Sequence, residues 1–407
     1  MYQLRDYQTE LSVKGAEVLE RLKIVYYAMQ VRTGKTLTAL ETAKLYGAKK
    51  VLFLTKKKAI HSIQHDYDNF EYSKHFELTV INDESMHKHF NRYDLVIHDE
   101  HHRFGAFPKP GKYTKLFKQK YSKLPMIFLS GTPHAESYSQ IFHQFWVSDF
   151  SPFKEVNFYK WAKTYVDVKK VQLGYAIVND YKFAYYKKIK AIIDPYIITF
   201  TQERAGFTTN VKEIVLTCEM REETYKMCSR LKRDRVIEGK DEVILADTAV
   251  KLQQKLHQLY SGTIKFESGN RMVMDNTKAE FIKMYFKGKR IGIFYKFKAE
   301  LIALQQVFNL THDVEAFNNL EYDVIALQFL SGREGISLRT ADALVYYNID
   351  FSAVTYFQSK DRLTTMQRKE NDVYWIFSKG GIEQKIYDSV INKKDYTNRL
   401  FKKDFGI

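Results

Sequence analysis

Short apolar runs recur along this chain, and the polar stretches between them carry helical spacing. In the first part the runs are Ile24 to Ala28, Val51 to Leu54, Leu78 to Ile81, Leu95 to His98 and Met126 to Leu129. Between the first two, Leu37 to Tyr46 reads as a helix. This alternation predicts a parallel sheet wrapped by helices. After about residue 150 the pattern changes: Phe153 to Lys190 is rich in Lys, Tyr and Phe without clean strands. Helices and a connector around Pro195 are expected there. Val211 to Cys218 reads as a strand, and Arg221 to Tyr260 as largely helical and highly charged. A second series of apolar runs follows, at Ile291 to Phe294, Val324 to Leu327, Leu344 to Tyr347 and Val373 to Phe377. The expected fold is therefore α/β with two parallel sheets. The first occupies residues 1–150 and the second 211–407, with a charged helical protrusion at about 221–275. A helical, lysine- and aromatic-rich insertion and connector spans 151–210.

Two segments at strand ends carry the chemistry. Met29-Gln30-Val31-Arg32-Thr33-Gly34-Lys35-Thr36 lies between the first strand and the first sheet helix. Its Gly-Lys-Thr is that of a phosphate-binding loop, in which backbone amides cradle phosphate oxygens, the lysine reaches the β/γ-phosphates and the threonine hydroxyl binds Mg²⁺. The general pattern has glycine where Met29 stands. Downstream, Leu95-Val96-Ile97-His98 runs into Asp99-Glu100-His101-His102. A buried strand there would deliver adjacent carboxylates to the edge of the sheet, one to hold the metal and one to position the attacking water. Each segment supplies what the other lacks, and together they predict nucleotide hydrolysis. The second series of strands has no phosphate loop, so a single nucleotide is expected between the two lobes.

Composition narrows the partners. With 29 Tyr, 29 Phe and only 6 Pro in 407 residues, the chain reads as folded rather than disordered. No apolar stretch approaches the ~20 residues of a membrane span. Met1 to Asp6 lacks the basic-then-apolar pattern of a signal peptide, which makes a cytoplasmic location the expectation. Cys218 and Cys228 are too few for a disulfide framework or a zinc site, and no Glu follows His61 as a zinc-hydrolase motif would require. The net charge of +16 predicts a polyanionic partner, since Lys and Arg neutralising phosphates supply most sequence-independent affinity for nucleic acid.

With those residues in view, the chain resembles the superfamily-two helicases and translocases. The resemblance is closest to the Swi/Snf-like branch, and to a compact, bacteriophage-encoded member of it. It rests on motifs in order over nearly the whole chain. Leu4-Arg5-Asp6-Tyr7-Gln8 is similar to the opening motif, whose glutamine reads adenine. Val51 to Lys56 looks like the strand and loop that meet the nucleic-acid backbone, and Ser130-Gly131-Thr132-Pro133 like the motif coupling hydrolysis to it. Tyr138 to Phe153 has the branch's aromatic helix followed by Ser-Pro-Phe. Ile291 to Lys296 looks like the first strand of the second lobe and its exit. Ser331 to Leu338 resembles a glycine-containing motif facing both ligands, and Gln358 to Arg362 the start of the final, arginine-bearing motif. Two departures stand out. Arg32 occupies a position that is usually glycine, and Thr365 replaces a second arginine three residues after Arg362, with Arg368 three residues further on.

The resemblance implies two tandem RecA-like lobes and an ATP-dependent, DNA-stimulated motor that translocates on or remodels double-stranded DNA. A strand-separating DNA or RNA helicase is the alternative, and a nucleic-acid-binding scaffold with little turnover the second. ATP and Mg²⁺ are the implied cofactors. Nucleotide contacts fall to Arg5, Gln8, Arg32, Thr33, Gly34, Lys35, Thr36 and Gly335, with Thr36 and Asp99 on the metal. Lys35, Glu100 and either Arg362 or Arg368 carry the catalytic roles, and Ser130 and Thr132 the coupling. Thr55, Lys56, Lys57, Tyr295, Lys296 and Ser331 face nucleic acid. Replication or repair proteins are the implied protein partners, and a monomer is expected without DNA.

Overall fold

The computed structural model describes residues 3–30, 32–89, 91–131, 133–134, 137–173, 176–206, 210–329, 338–351, 356 and 370–392. The chain divides into two compact units, residues 1–206 and 207–407. Among the described residues no helix is long and apolar enough to cross a membrane.

The first unit is built on a six-stranded sheet whose strands all run parallel. In chain order these are β1 (Ile24–Met29), β2 (Lys50–Thr55), β3 (Glu77–Asn82), β4 (Leu95–His98) and β5 (Met126–Ser130). Then come the hairpin strands β6 (Lys169–Leu173) and β7 (Ala176–Asp180), which lie outside the sheet, and β8 (Ile197–Phe200). The order across the sheet is β3-β2-β4-β5-β1-β8. Central β1, β4 and β5 are almost wholly buried, which explains why their sequences are continuously apolar. Helix α1 (Asp6–Leu22) lies close on β1 because Gly15 has no Cβ; one would stand 1.6 Å from the Tyr27 hydroxyl. That hydroxyl donates to Leu11 O at 3.0 Å and lies 2.6 Å from Thr42 Oγ1 on α2 (Lys35–Tyr46), locking three elements together.

Residues 151–206, which cover most of the expected insertion and connector at 151–210, fall within this unit. Helices Phe158–Tyr165 and Tyr186–Ile193 bury Phe158, Trp161, Ile189 and Ile193 in one core with Phe142 and Phe145. Strand β8 follows Pro195 and pairs with β1 in the register Tyr26↔Ile197 to Met29↔Phe200. Four residues carry too little pattern to announce a strand, and pairing with β1 supplies what the pattern lacks.

The second unit has a five-stranded parallel sheet, ordered β15-β14-β16-β17-β9. Its strands are β9 (Asn210–Cys218), β14 (Ile291–Tyr295), β15 (Val324–Gln328), β16 (Ala343–Tyr346) and β17 (Glu370–Ser378). Two short antiparallel pairs accompany it, β10 (Val236–Glu238) with β11 (Val243–Leu245), and β12 (Thr263–Lys265) with β13 (Arg271–Val273). The pleat sorts side chains to two faces: Phe294, Tyr346 and Trp375 enter one core, and Ile291, Ile293, Val345 and Ile376 the other. Helices Glu222–Asp234 and Ala249–Tyr260 cover the first face through Leu231, Leu252 and Leu256. Two helices of the stretch expected as a charged protrusion thus bury apolar side chains in this core. Most charges of Glu222–Asp234 lie on its exposed face, whereas Lys255 of Ala249–Tyr260 is buried and pairs with Glu267 at 3.0 Å.

Candidate nucleotide site

The phosphate loop leaves β1 and enters α2 at Gly34, whose φ of 78° places it in the left-handed region. A Cβ there would stand 2.0 Å from Gln8 Nε2, so glycine is required both by conformation and by space. Gln8 is buried: its Oε1 accepts the Arg5 N–H at 2.9 Å, and its Nε2 faces Gly34 O at 3.4 Å. Tyr7 donates its hydroxyl to Thr33 O at 3.2 Å. The start of α1 is therefore seated on the phosphate loop. Lys35 Nζ donates to Met29 O at 3.1 Å and Gln30 O at 3.3 Å, and Thr33 Oγ1 donates to Gln30 O at 2.7 Å. The loop curls around its own ammonium group. Thr36 follows in the first turn of α2. Arg32 also takes the left-handed region, φ 62°, a conformation that glycine adopts without a Cβ clash.

Strand β4 delivers the carboxylates two strands away from the loop, with β5 between. Asp99 Oδ2 accepts the Thr55 hydroxyl at 3.0 Å, and Oδ1 accepts the Glu100 N–H at 2.9 Å. Burial, then the Glu100 charge, pushes Asp99 above the usual carboxylate range, against the pull of Lys35 and the Thr55 hydrogen bond. Glu100 adopts φ 50°, a conformation that costs about 1–3 kcal/mol and recurs at functional sites. Its Oε2 is buried without a hydrogen bond, with His102 Nδ1 3.2 Å away. The same His102 nitrogen lies 3.0 Å from Ser130 Oγ at the end of β5. Ser130 thus stands at the strand end between the loop and the carboxylates.

Behind this edge runs a buried network that the sequence does not announce. His98 Nε2 is 3.1 Å from Asp83 Oδ1, His98 Nδ1 is 2.6 Å from His101 Nδ1, and His101 Nε2 is 2.8 Å from Gln144 O. Burial raises Asp83, yet His98 and Arg103 outweigh it and hold the carboxyl below its ordinary range. Gln144 also donates from Nε2 to Pro133 O at 2.7 Å, tying the network to the loop after Ser130. On the other side of the site, Gln30 N–H donates to Phe200 O at 2.9 Å, and Gln202 N–H to Gln30 Oε1 at 2.6 Å. Asp83 lies 15 residues from His98, Gln144 43 from His101 and Gln202 172 from Gln30, so no local spacing marks these partners.

Of the residues expected to face nucleic acid, Thr55 is buried and spends its hydroxyl on Asp99, while Lys56 is half-buried and Lys57 exposed beyond it. In the second unit Tyr295 is buried at the end of β14. Lys296 pairs with Asp350 at 2.9 Å and lies 4.0 Å above the Phe351 ring. Thr132, Ser331, Gly335, Arg362, Thr365 and Arg368 lie outside the described residues. The described site is therefore the part of the expected machinery that the first unit carries.

No family model matches the chain. Over 88 residues it is 33% identical to the DNA repair and recombination protein RAD26 of Saccharomyces cerevisiae. That stretch is 21% of this chain and 8% of the relative, so the chain spans only a small part of the relative's length. Two solved structures align at 15% identity, each with a TM-score of 0.43. A Sulfolobus solfataricus SWI2/SNF2 ATPase core in complex with dsDNA is matched over 99% of this chain and 92% of its own. The core domain of the same organism's SWI2/SNF2 ATPase is matched over 97% and 89%. The chain thus carries a phosphate-loop segment and adjacent carboxylates at the strand ends of one of its two parallel sheets, and shares a stretch of sequence with that DNA repair and recombination protein.

Proposed function

We propose that the chain is an ATP-dependent motor, stimulated by nucleic acid, that translocates on double-stranded DNA. The observation that carries this reading is the convergence of Lys35, Ser130, Asp99 and Glu100 on one edge of one parallel sheet. The residues suit a magnesium nucleotide. A glycine-capped helix start and an ammonium face two adjacent carboxylates, one of them raised by burial and by its neighbour, a pair that a cation would relieve. Thr36 and Asp99 would hold Mg²⁺, which when bound supplies positive charge to the β- and γ-phosphate oxygens. Lys35, released from the Met29 and Gln30 carbonyls, exchanges those two acceptors for phosphate oxygens. Glu100 orients the attacking water and takes its proton through the carboxylate oxygen that now lacks a hydrogen bond. Gln8 keeps one N–H and one lone pair for an adenine edge. Arg362 or Arg368 stabilises the transferring phosphoryl group.

Polyanion affinity follows from the net charge of +16, with Lys56 and Lys57 at the exit of β2 as first contacts. The test is ATP hydrolysis measured with no nucleic acid, single-stranded DNA, duplex DNA and RNA. Duplex DNA is expected to stimulate most. Lys35→Ala should abolish turnover, and Glu100→Gln should lower it by ~10²–10⁴ while ATP binding is retained. A Glu100→Gln protein that turns over at the wild-type rate would sink the assignment.

A further inference from the structure

Among the described residues the hairpin β6–β7 pairs with no other strand. An isolated two-stranded ribbon is marginal in water, so this one needs its stem held. It is held: Asp167 N–H donates to Phe183 O at 2.8 Å, and Tyr185 N–H to Tyr165 O at 2.8 Å. The ribbon itself stays outside the core, with Ile177 70% exposed.

The surface around it is basic and aromatic. All nine lysines between residues 154 and 194 are exposed, against four acids, Glu155, Asp167, Asp180 and Asp194. Tyr159, Phe183, Tyr185 and Tyr186 are each 44–46% exposed. Lys169 Nζ stands 4.1 Å from the Phe183 ring and Lys188 Nζ 5.1 Å from the Tyr185 ring, so cations and rings are interleaved. The hairpin is also tied to the loop after β5. Ser137 Oγ donates to Lys182 O at 2.7 Å, Ser139 Oγ donates to Tyr181 O, and the Tyr138 ring meets Tyr186 at 4.8 Å. These residues begin four positions beyond Pro133, whose carbonyl Gln144 holds.

We infer that β6–β7 and the flanking Phe183–Tyr186 segment form a binding site for an unpaired nucleic-acid strand, linked to the Ser130 loop through Ser137 and Ser139. Lysines alone would suit any phosphate backbone. Half-exposed rings add affinity only where bases are free to stack on them, and in a duplex the bases stack on one another. The inference rests on the motor reading above and adds to it a contact with a strand that is not paired.

The test is fluorescence anisotropy with labelled oligothymidylate of about 20 nucleotides, longer than a single-strand site of ~4–16, and with a blunt duplex of equal length. The double variant Phe183→Ala/Tyr185→Ala should bind the single strand about 5- to 100-fold more weakly, the loss expected for one stacked base, and the duplex within about twofold of wild type. Lys169→Gln/Lys170→Gln should weaken single-strand binding and reduce its salt slope by about 1.4, two contacts at ~0.7 each. Melting temperatures of both variants are compared with wild type; if the aromatic pair is unfolded, the lysine pair decides. Unchanged single-strand affinity, or an equal loss on both ligands, overturns the proposal. If wild type binds neither oligonucleotide and its ATP hydrolysis is unstimulated, the motor reading fails as well. If duplex DNA stimulates hydrolysis while both variants bind single strands normally, the hairpin site alone fails.

Discussion

Gly34 and Arg32 stand two positions apart in one loop and both adopt positive φ, yet they respond to substitution in opposite ways. At Gly34 an alanine would meet both left-handed strain of about 1–2 kcal/mol and the Gln8 amide 2.0 Å away. Gly34→Ala should therefore lower the melting temperature and weaken ATP binding at least tenfold, since the helix start and the opening motif move together. Arg32→Gly removes a side chain from the left-handed region, which offsets the ~0.5–1 kcal/mol of backbone entropy that glycine adds. Its melting temperature and turnover should stay near wild type. Thermal melts and ATP titration of the two proteins check this pair, and equal losses in both would contradict the loop geometry. The sequence marks Arg32 as a departure from the motif it resembles, but only its φ shows that glycine would suit the position.

At the scale of elements, residues 151–206 decide what the first unit is. Read along the chain they are lysine-rich and aromatic, with no strand of recognisable length. Folded, they contribute β8 beside the phosphate-loop strand and bury Trp161 completely. Trp161→Ala should destabilise the first unit by about 3–5 kcal/mol, the cost of deleting a large aromatic group from a closed core. Trp161→Phe should cost less, because the indole N–H is buried without a partner and its loss is no penalty. Urea denaturation followed through ATP binding is the measure. A segment folded apart from the sheet would leave the nucleotide-binding midpoint where it was. The Glu222–Asp234 helix of the second unit makes the same point: Leu231 faces the core, and most of its charges lie outside.

For the whole molecule, stability must vary with pH because imidazoles are buried neutral. His143 lies 2.6 Å from Ala106 O through Nδ1, and burial pushes its pKa from 6.5 to about 4. A base whose folded pKa is lowered lets the unfolded chain bind the extra proton first. Stability is then complete above about 6.5 and is lost as pH falls toward 4, by about 3 kcal/mol for this group. His101 and His257, also held low by burial, act in the same sense; Asp99 and Glu300, raised by burial, act in the opposite one. Comparing urea midpoints of wild type and His143→Asn across that range isolates the contribution, and identical pH slopes would refute it. The sequence by itself determined what local pattern can determine. It specified two sheets from their continuous apolar strands, a phosphate loop between a strand and a helix, and adjacent carboxylates at a strand end, because each signal lies within a few residues. The tertiary structure alone decided that β5 lies between β1 and β4, so that Ser130 stands beside the carboxylates, and that β8 completes the sheet. It alone seated Gln8 against Gly34, gave Thr55 to Asp99 and left a basic hairpin outside the core. Those arrangements come from pairings and packing between residues far apart in the chain, where burial and steric fit choose the partner and no spacing along the sequence records it.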